Sequence, residues 1–249
     1  ADFTDCSLRG AKLAGANLKD ANMTGAMMEN AEMGGANMQG ARLAGAVMTG
    51  VDVSLLRGAD LSACLRAPTA TALGMIDELY QRAVANGQWC DTGGKAGAPA
   101  KFDGADMRPL AARLKGMALT VMSAQGACMI GLDLSGAQMQ GANLEGADMR
   151  GCNLQGCDLR GARMAGANLT KADLRQAMLG ALPLGAGRAT SSSLKGARLR
   201  YANARLADLS GAILDEADLR GADLTGALMT GASLRGADIG TVIGLDFSK

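Results

Sequence analysis

The sequence predicts an all-β solenoid built from five-residue units, and three observations carry that expectation. An apolar residue recurs at every fifth position from Leu114 to Ile239, through 26 consecutive units, and from Phe3 to Val53 through 11. Ala stands two residues before that position in 18 of the 26 units. The 249 residues hold 36 Gly but only 2% aromatics, so the interior must be thin and filled by Ala, Leu and Met rather than by rings.

A period of five fits neither common element. In an α-helix this spacing rotates each apolar residue by about 500° and scatters the set around the barrel. In a continuous strand an odd period turns the inward set outward at every unit. The pattern closes if each unit is a three-residue extended piece followed by a two-residue corner. With the large residue called i, positions i−2 (Ala) and i (Leu or Met) then share the inner side, and i−1 faces out. Gly at i+2 suits the corner because it adopts backbone conformations closed to residues with a Cβ.

Stretches such as ANLKD ANMTG AMMEN AEMGG ANMQG (16–40) and ADLRG ADLTG ALMTG ASLRG ADI (217–239) carry the unit openly. The pattern resembles the pentapeptide repeat family, whose motif is A(D/N)LXX, over about 85% of the chain. The resemblance implies a right-handed, four-sided β-helix with four units, or 20 residues, per coil. Counting 41 units by phase gives about ten coils, and roughly 4.8 Å between strands gives a stack about 48 Å long.

Phase breaks divide the chain into N-terminal coils over 1–63, a non-repeat insertion over 64–99, the main β-helix over 100–241 and a tail over 242–249. After Val53 the phase jumps by three, to Leu56 and Leu61; it returns at Phe102 and Met107 and takes a two-residue insertion near Pro109. Within the insertion Leu73, Ile76, Tyr80 and Val84 fall on one face at helical spacing, with Glu78 and Arg82 as an i,i+4 pair. Thr69 or Thr71 is placed to cap this helix and Gly87 to end it. Many members of the family carry a short helix, then a Trp and a GG-containing connector; Trp89, Gly93 and Gly94 match that arrangement. The resemblance implies that the helix packs on the side of the stack or over an exposed coil, as a cover for β edges or as a docking element. Residues 182–193 (LPLGAGRATSSS) keep the phase while losing the motif, which reads as a bulged loop on one coil. After Ile239 the phase ends, and Phe247 is placed to plug the last coil. No terminal dimerising helix, which some members carry, is visible there.

The composition excludes most chemistry. The absence of His removes the commonest general base and metal ligand. No phosphate loop or dinucleotide fingerprint stands in the required context, and carboxylate pairs such as Asp215/Glu216 and Asp218/Asp223 belong to the outer surface. No catalytic residue, cofactor or metal is expected. Cys6, Cys64, Cys152 and Cys157 occupy i−2, where small buried side chains belong, whereas Cys128 at i−1 is expected to be exposed. Asn17, Asn22, Asn37, Asn143, Asn153 and Asn168 at i−1 are expected to hydrogen-bond on the surface. Six cysteines without a CxxC pair fit a reducing, bacterial cytoplasm, and no run of 18 apolar residues offers a membrane span. The chain begins inside a repeat and without Met, which leaves its true N-terminus open.

Function is therefore sought on the outer faces. Asp at i−1 and a cation at i+1 recur together in Asp148/Arg150, Asp158/Arg160, Asp173/Arg175 and Asp218/Arg220, with Asp238 and Arg235 as a further pair. Counting by 20 places Lys115, Arg175, Lys195 and Arg235 in one column and Arg160, Arg200 and Arg220 in another, interrupted by Ser135, Gln155, Gly180 and Asp215; they read as a solvated face first and as a mild positive strip second. Two functions compete. One is a non-catalytic scaffold for protein partners, or for other parts of a larger chain, with the oligomeric state open. The other is a DNA-mimicking topoisomerase (gyrase) inhibitor or protector, as some members are, which needs an acidic rod. Residues 1–99 carry net −2 but residues 100–249 carry net +3, which favours the scaffold and gives no groove for nucleic acid.

Overall fold

The structure, a computed structural model, describes residues 1–56 and 58–245. The chain divides into two compact units, Ala1–Thr69 and Ala70–Lys249. The expected plug, Phe247, lies outside the described residues.

In the first unit, parallel bridges join each i−1 residue to the one 20 residues on: Asp2 to Asn22 and Asn22 to Arg42, Ser7 to Met27 and Met27 to Val47. Four five-residue units thus make one coil. Each contributes too short an extended piece for a regular strand, so the sheets consist of single bridges. The Ala at i−2 and the Leu or Met at i fill the shaft; Ala21, Met23, Ala26, Met28 and Met38 are all fully buried. After Val53 a 3₁₀ turn, Val53–Leu55, is capped by Asp52 Oδ1, which accepts from Ser54 N. This turn shortens the coil, and Val47 bridges Leu65, 18 residues on. The jump of three in the sequence phase is this shortcut.

The unit Ala142–Gly146 shows why the motif reads as it does. Ala142 N closes the preceding corner on Met139 O, Asn143 N donates back one coil to Met122 O, and Leu144 N and Gly146 N donate forward to Arg163 O and Ala165 O. The fifth donor, Glu145 N, has no backbone partner and is taken by Asn143 Oδ1 at 3.3 Å. Asp or Asn at i−1 therefore completes the backbone hydrogen bonding of the unit. All six asparagines singled out above do so, accepting from the N–H two residues on.

The second unit opens with helix α1, Ala70–Gly74, and helix α2, Ile76–Asp91. Coils follow from Lys101, first at a 22-residue interval (Lys101 to Ser123) and then at 20 (Ala118 to Gln138). The two extra residues form the 3₁₀ turn Arg108–Leu110, closed by Ala111 at φ 48°. From Phe102 onward large inward side chains of the first coils are fully buried, among them Met107, Leu110, Leu114 and Leu119.

Helix α2 packs against this first coil. Its buried stripe is Leu79, Ala83 and Asn86, which is not the stripe the hydropathy pattern picks out. Leu73 lies in α1, beyond the break at Met75, and is 52% exposed; Ile76, Tyr80 and Val84 are only half-buried. The reason is polar. In later coils the carbonyl at i+1 accepts from a corner N–H one coil earlier, as Arg160 O does from Gly141 N. Thr120 O, in the first coil of this unit, accepts from a side chain instead, Asn86 Nδ2 at 3.1 Å. Its Oδ1 accepts from Ala100 N at 2.8 Å. The helix also runs past Gly87, and Trp89 falls inside it rather than after it. It ends where Thr92 Oγ1 donates to Gln88 O, and the connector then doubles back. Only Gly fits at 97, where a Cβ would lie 2.1 Å from Ala85 O at φ +75°.

The segment 182–193 is an excursion from the stack. Strands β1, Leu182–Gly185, and β2, Arg188–Thr190, form an antiparallel hairpin. Across it the bridge interval is 30, from Arg163 to Ser193. Ten residues are two whole units, so the phase survives although the units at Leu184 and Ala189 leave the shaft. Ser192 Oγ, bonded to Leu179 O, closes the base.

Candidate interaction surface

The outer faces carry side chains at i−1 and i+1, and the dominant device is the Asp–x–Arg clamp. Asp173 Oδ1 accepts from Arg175 N, and the same carboxylate takes Arg175 Nε and Nη2 at 2.9 and 2.6 Å. The same geometry recurs at Asp106/Arg108, Asp148/Arg150, Asp158/Arg160 and Asp218/Arg220. The i−1 carboxylate thus caps its own backbone and neutralises the cation beside it. Asp238 pairs with Arg220 Nε at 3.1 Å rather than with Arg235, and Lys195 pairs with Glu216 at 3.3 Å.

The hairpin rearranges the expected columns. Its ten residues advance the chain by half a coil, so neighbours across it are 30 apart. Gln176 N donates to Arg205 O, Lys171 N to Arg200 O, and Gly166 N to Lys195 O. Arg175 is therefore followed by Arg205, with Lys115 earlier in that column. Lys195 and Arg235 lie two faces away from them. Arg200 and Arg220 share a column with Arg150, and Arg160 lies two faces away. Counting by 20 could not show this, because an insertion of two whole units leaves no phase break; the decayed motif at 182–193 was its only trace.

The cysteines are structural in placement, and all six are free. Cys152 and Cys157 are buried at i−2 and bond to Met129 O and Leu134 O at 2.9 and 2.8 Å. Cys128 is half-buried rather than exposed, because its column sets it between the ion-paired Asp106–Arg108 and Asp148–Arg150. Among the described residues no cluster of His, Cys, Asp or Glu could hold a metal ion.

These environments fix a pH profile. Hydrogen bonds from Arg175 and Arg220 hold Asp173 and Asp218 below the usual carboxylate range. Burial pushes Cys157 up to about 12 and raises Cys152 as well. The carboxylates contribute fully above the unfolded value near pH 4 and lose that contribution as pH falls through their lowered folded values. The thiols contribute fully below about pH 8.5 and lose it as pH rises towards their folded values. With no His to titrate between, thermal unfolding monitored by circular dichroism is expected to be flat from about pH 5 to 8 and to fall on both sides. A step between pH 6 and 7 would contradict this.

The geometry defines a class: a solenoid of five-residue units with a side-chain-filled shaft and outward columns one coil apart. The chain belongs to the pentapeptide repeat family, whose model (pentapeptide repeats) matches in eight copies over residues 1–40, 28–65, 123–156, 147–180 and 192–231. It shares that family's right-handed β-helix solenoid. Among solved structures it is similar to HetL, a pentapeptide repeat protein involved in heterocyst differentiation regulation from the cyanobacterium Nostoc, at 25% identity over 95% of this chain and 89% of that one, with a TM-score of 0.35. It is similar to a pentapeptide repeat protein of the Arabidopsis thaliana thylakoid lumen at 24% identity over 46% and 70%, with a TM-score of 0.34. Full-length QnrB1, a plasmid-mediated fluoroquinolone resistance protein, aligns at 18% identity over 95% and 92%, with a TM-score of 0.19. No curated protein sequence matches. Among the described residues no helix is long and apolar enough to cross a membrane.

Proposed function

We propose that the chain is a non-catalytic scaffold of about ten four-sided coils that presents its outer faces to protein partners in a reducing, bacterial cytoplasm. The observation that supports this reading is the repeated Asp–x–Arg clamp. It holds outward side chains in fixed positions at one-coil spacing, so a partner can dock without reordering the surface. Chains of this kind offer extended faces rather than pockets. The DNA-mimicking alternative is disfavoured by the same clamps, which neutralise the outward carboxylates and leave residues 100–249 at net +3.

Two measurements test the reading. Affinity capture with the full chain from its native host should recover a specific protein partner, confirmed by reciprocal capture. A gyrase supercoiling assay should be unaffected at micromolar protein. Recovery of nothing above background would remove the scaffold reading, and inhibition or drug protection in the second assay would reverse the choice.

A further inference from the structure

The corner position i+2 takes positive φ in most units, and Gly fills most of those corners. The first unit admits only Asp5, Asp20 and Asn30 instead, residue types that tolerate this conformation. The second unit breaks the rule with bulky residues. Tyr201 at φ 56° and Leu206 at φ 59° are the largest apolar ones, and a side chain with a Cβ is strained there. Lys171 and Gln176 occupy the corners one coil before them, since Lys171 N bonds Arg200 O and Gln176 N bonds Arg205 O. Four exceptions thus rim a single face over two adjacent coils.

These residues do not fill the shaft. Tyr201 is 48% and Leu206 61% exposed. Each lies over a glycine one coil on: a Cβ on Gly221 would come within 2.5 Å of the Tyr201 ring, and one on Gly226 within 2.8 Å of Leu206 Cδ2. Round the Leu206 corner, Met178 and Leu228 are also exposed at outward i−1 positions, at 37% and 47%. Between the rims project Arg175 and Arg205, about half exposed and each bound to a carboxylate on one side only. Lys171 sits 5.0 Å from the Tyr201 ring centroid, and no carboxylate pairs with it among the described residues. Strain in the backbone, apolar exposure and the Lys171 charge coincide on one strip, and conformational strain of this kind collects at functional positions.

We propose that Tyr201 and Leu206 anchor a docking strip for an acidic protein segment that carries an apolar side chain. The apolar group seats between or beside the two anchors. A flanking carboxylate meets Lys171, whose charge selects against basic segments, and the ion-paired Arg175 and Arg205 offer their remaining N–H donors beside it. Tyr and Arg on rigid backbone are residue types that carry much of the binding energy at such surfaces, and Leu206 adds apolar area beside them. The proposal rests on the scaffold reading and names the site and partner chemistry within it.

The test uses glycine, the residue the repeat would otherwise place at these corners. A random-peptide phage library is selected against the full chain, and the enriched peptide is synthesised and titrated by fluorescence anisotropy. Enrichment of acidic peptides with an apolar residue is expected. The double variant Tyr201→Gly/Leu206→Gly should weaken that peptide by at least about tenfold while its unfolding temperature stays unchanged or rises. Lys171→Ala should reduce both the affinity and its salt dependence, and Val121→Gly, at another corner, should change neither. Enrichment of basic peptides, no enrichment, or unchanged affinity in the double glycine variant would overturn the proposal. So would a lower unfolding temperature, because the anchors would then serve the stack. Self-association lost in the same variant would make the occupant a second copy and overturn it equally. A partner captured from the host that binds the double variant as well as the original chain would leave the scaffold reading standing and refute only this site.

Discussion

Leu159→Ala is expected to lower the unfolding free energy of the Ala70–Lys249 unit by about 3–5 kcal/mol, whereas Leu228→Ala should change it by less than about 0.5 kcal/mol. The two leucines differ by one position within the unit. Leu159 stands at i and is fully buried; Leu228 stands at i−1 and is 47% exposed. In the shaft Leu159 lies between Met139 and Leu179 of the neighbouring coils, because Met139 N donates to Asp158 O and Leu159 N to Met178 O. Those same bonds prevent collapse. The coils above and below are held at fixed separation on every side, so the volume left by three missing carbons stays open and the cost falls at the upper end of the range for such replacements. Denaturant titration of the two variants against the original chain checks the contrast. Equal effects would mean that inward and outward positions had been exchanged.

The contrast in that prediction was available from the sequence, and the reason is arithmetic. A five-residue period admits only one assignment of inner and outer positions once a corner is allowed, and Ala at i−2 with Leu or Met at i states which side is inner. The shortcut after Val53 and the extra turn near Pro109 were also legible, since each alters the phase by a number that is not a multiple of five. The hairpin at 182–193 was not, because ten residues restore the phase. Every surface column counted across it was therefore wrong by half a coil, including the one that joined Arg175 to Lys195. The insertion helix failed differently. Hydropathy ranks Ile76, Tyr80 and Val84 above Asn86, yet an open coil edge demands hydrogen bonds before it demands apolar area. The corner anchors Tyr201 and Leu206 stood in plain view as departures from Gly, but only the glycines at 221 and 226 and the exposure of both side chains show what the departures are for.

Asn86→Leu is the second large effect, expected at about 2–4 kcal/mol although the side chains have the same number of heavy atoms. Asn86 is fully buried and spans the gap between helix α2 and the first coil, donating to Thr120 O and accepting from Ala100 N. Leucine would keep the packing against Leu79 and Ala83 but strand a carbonyl and an N–H away from water, each costing about 1–3 kcal/mol. Asn86→Asp would retain the acceptor for Ala100 N and lose the donor to Thr120 O, while burying a charge that must then be protonated or hydrated. Both variants should therefore fray the stack from this end. Hydrogen exchange gives the decisive reading: protection of Ser123 N, which donates to Ala100 O, should fall before that of Leu214 N, which donates to Ser233 O several coils away. If Asn86→Leu matched the original chain in stability and in the order of exchange, α2 would be an apolar cover only, and the edge it overlies would be satisfied by some other means. A loss confined to residues near Ala100 and Thr120 would show that one amide side chain completes the hydrogen bonding of this coil.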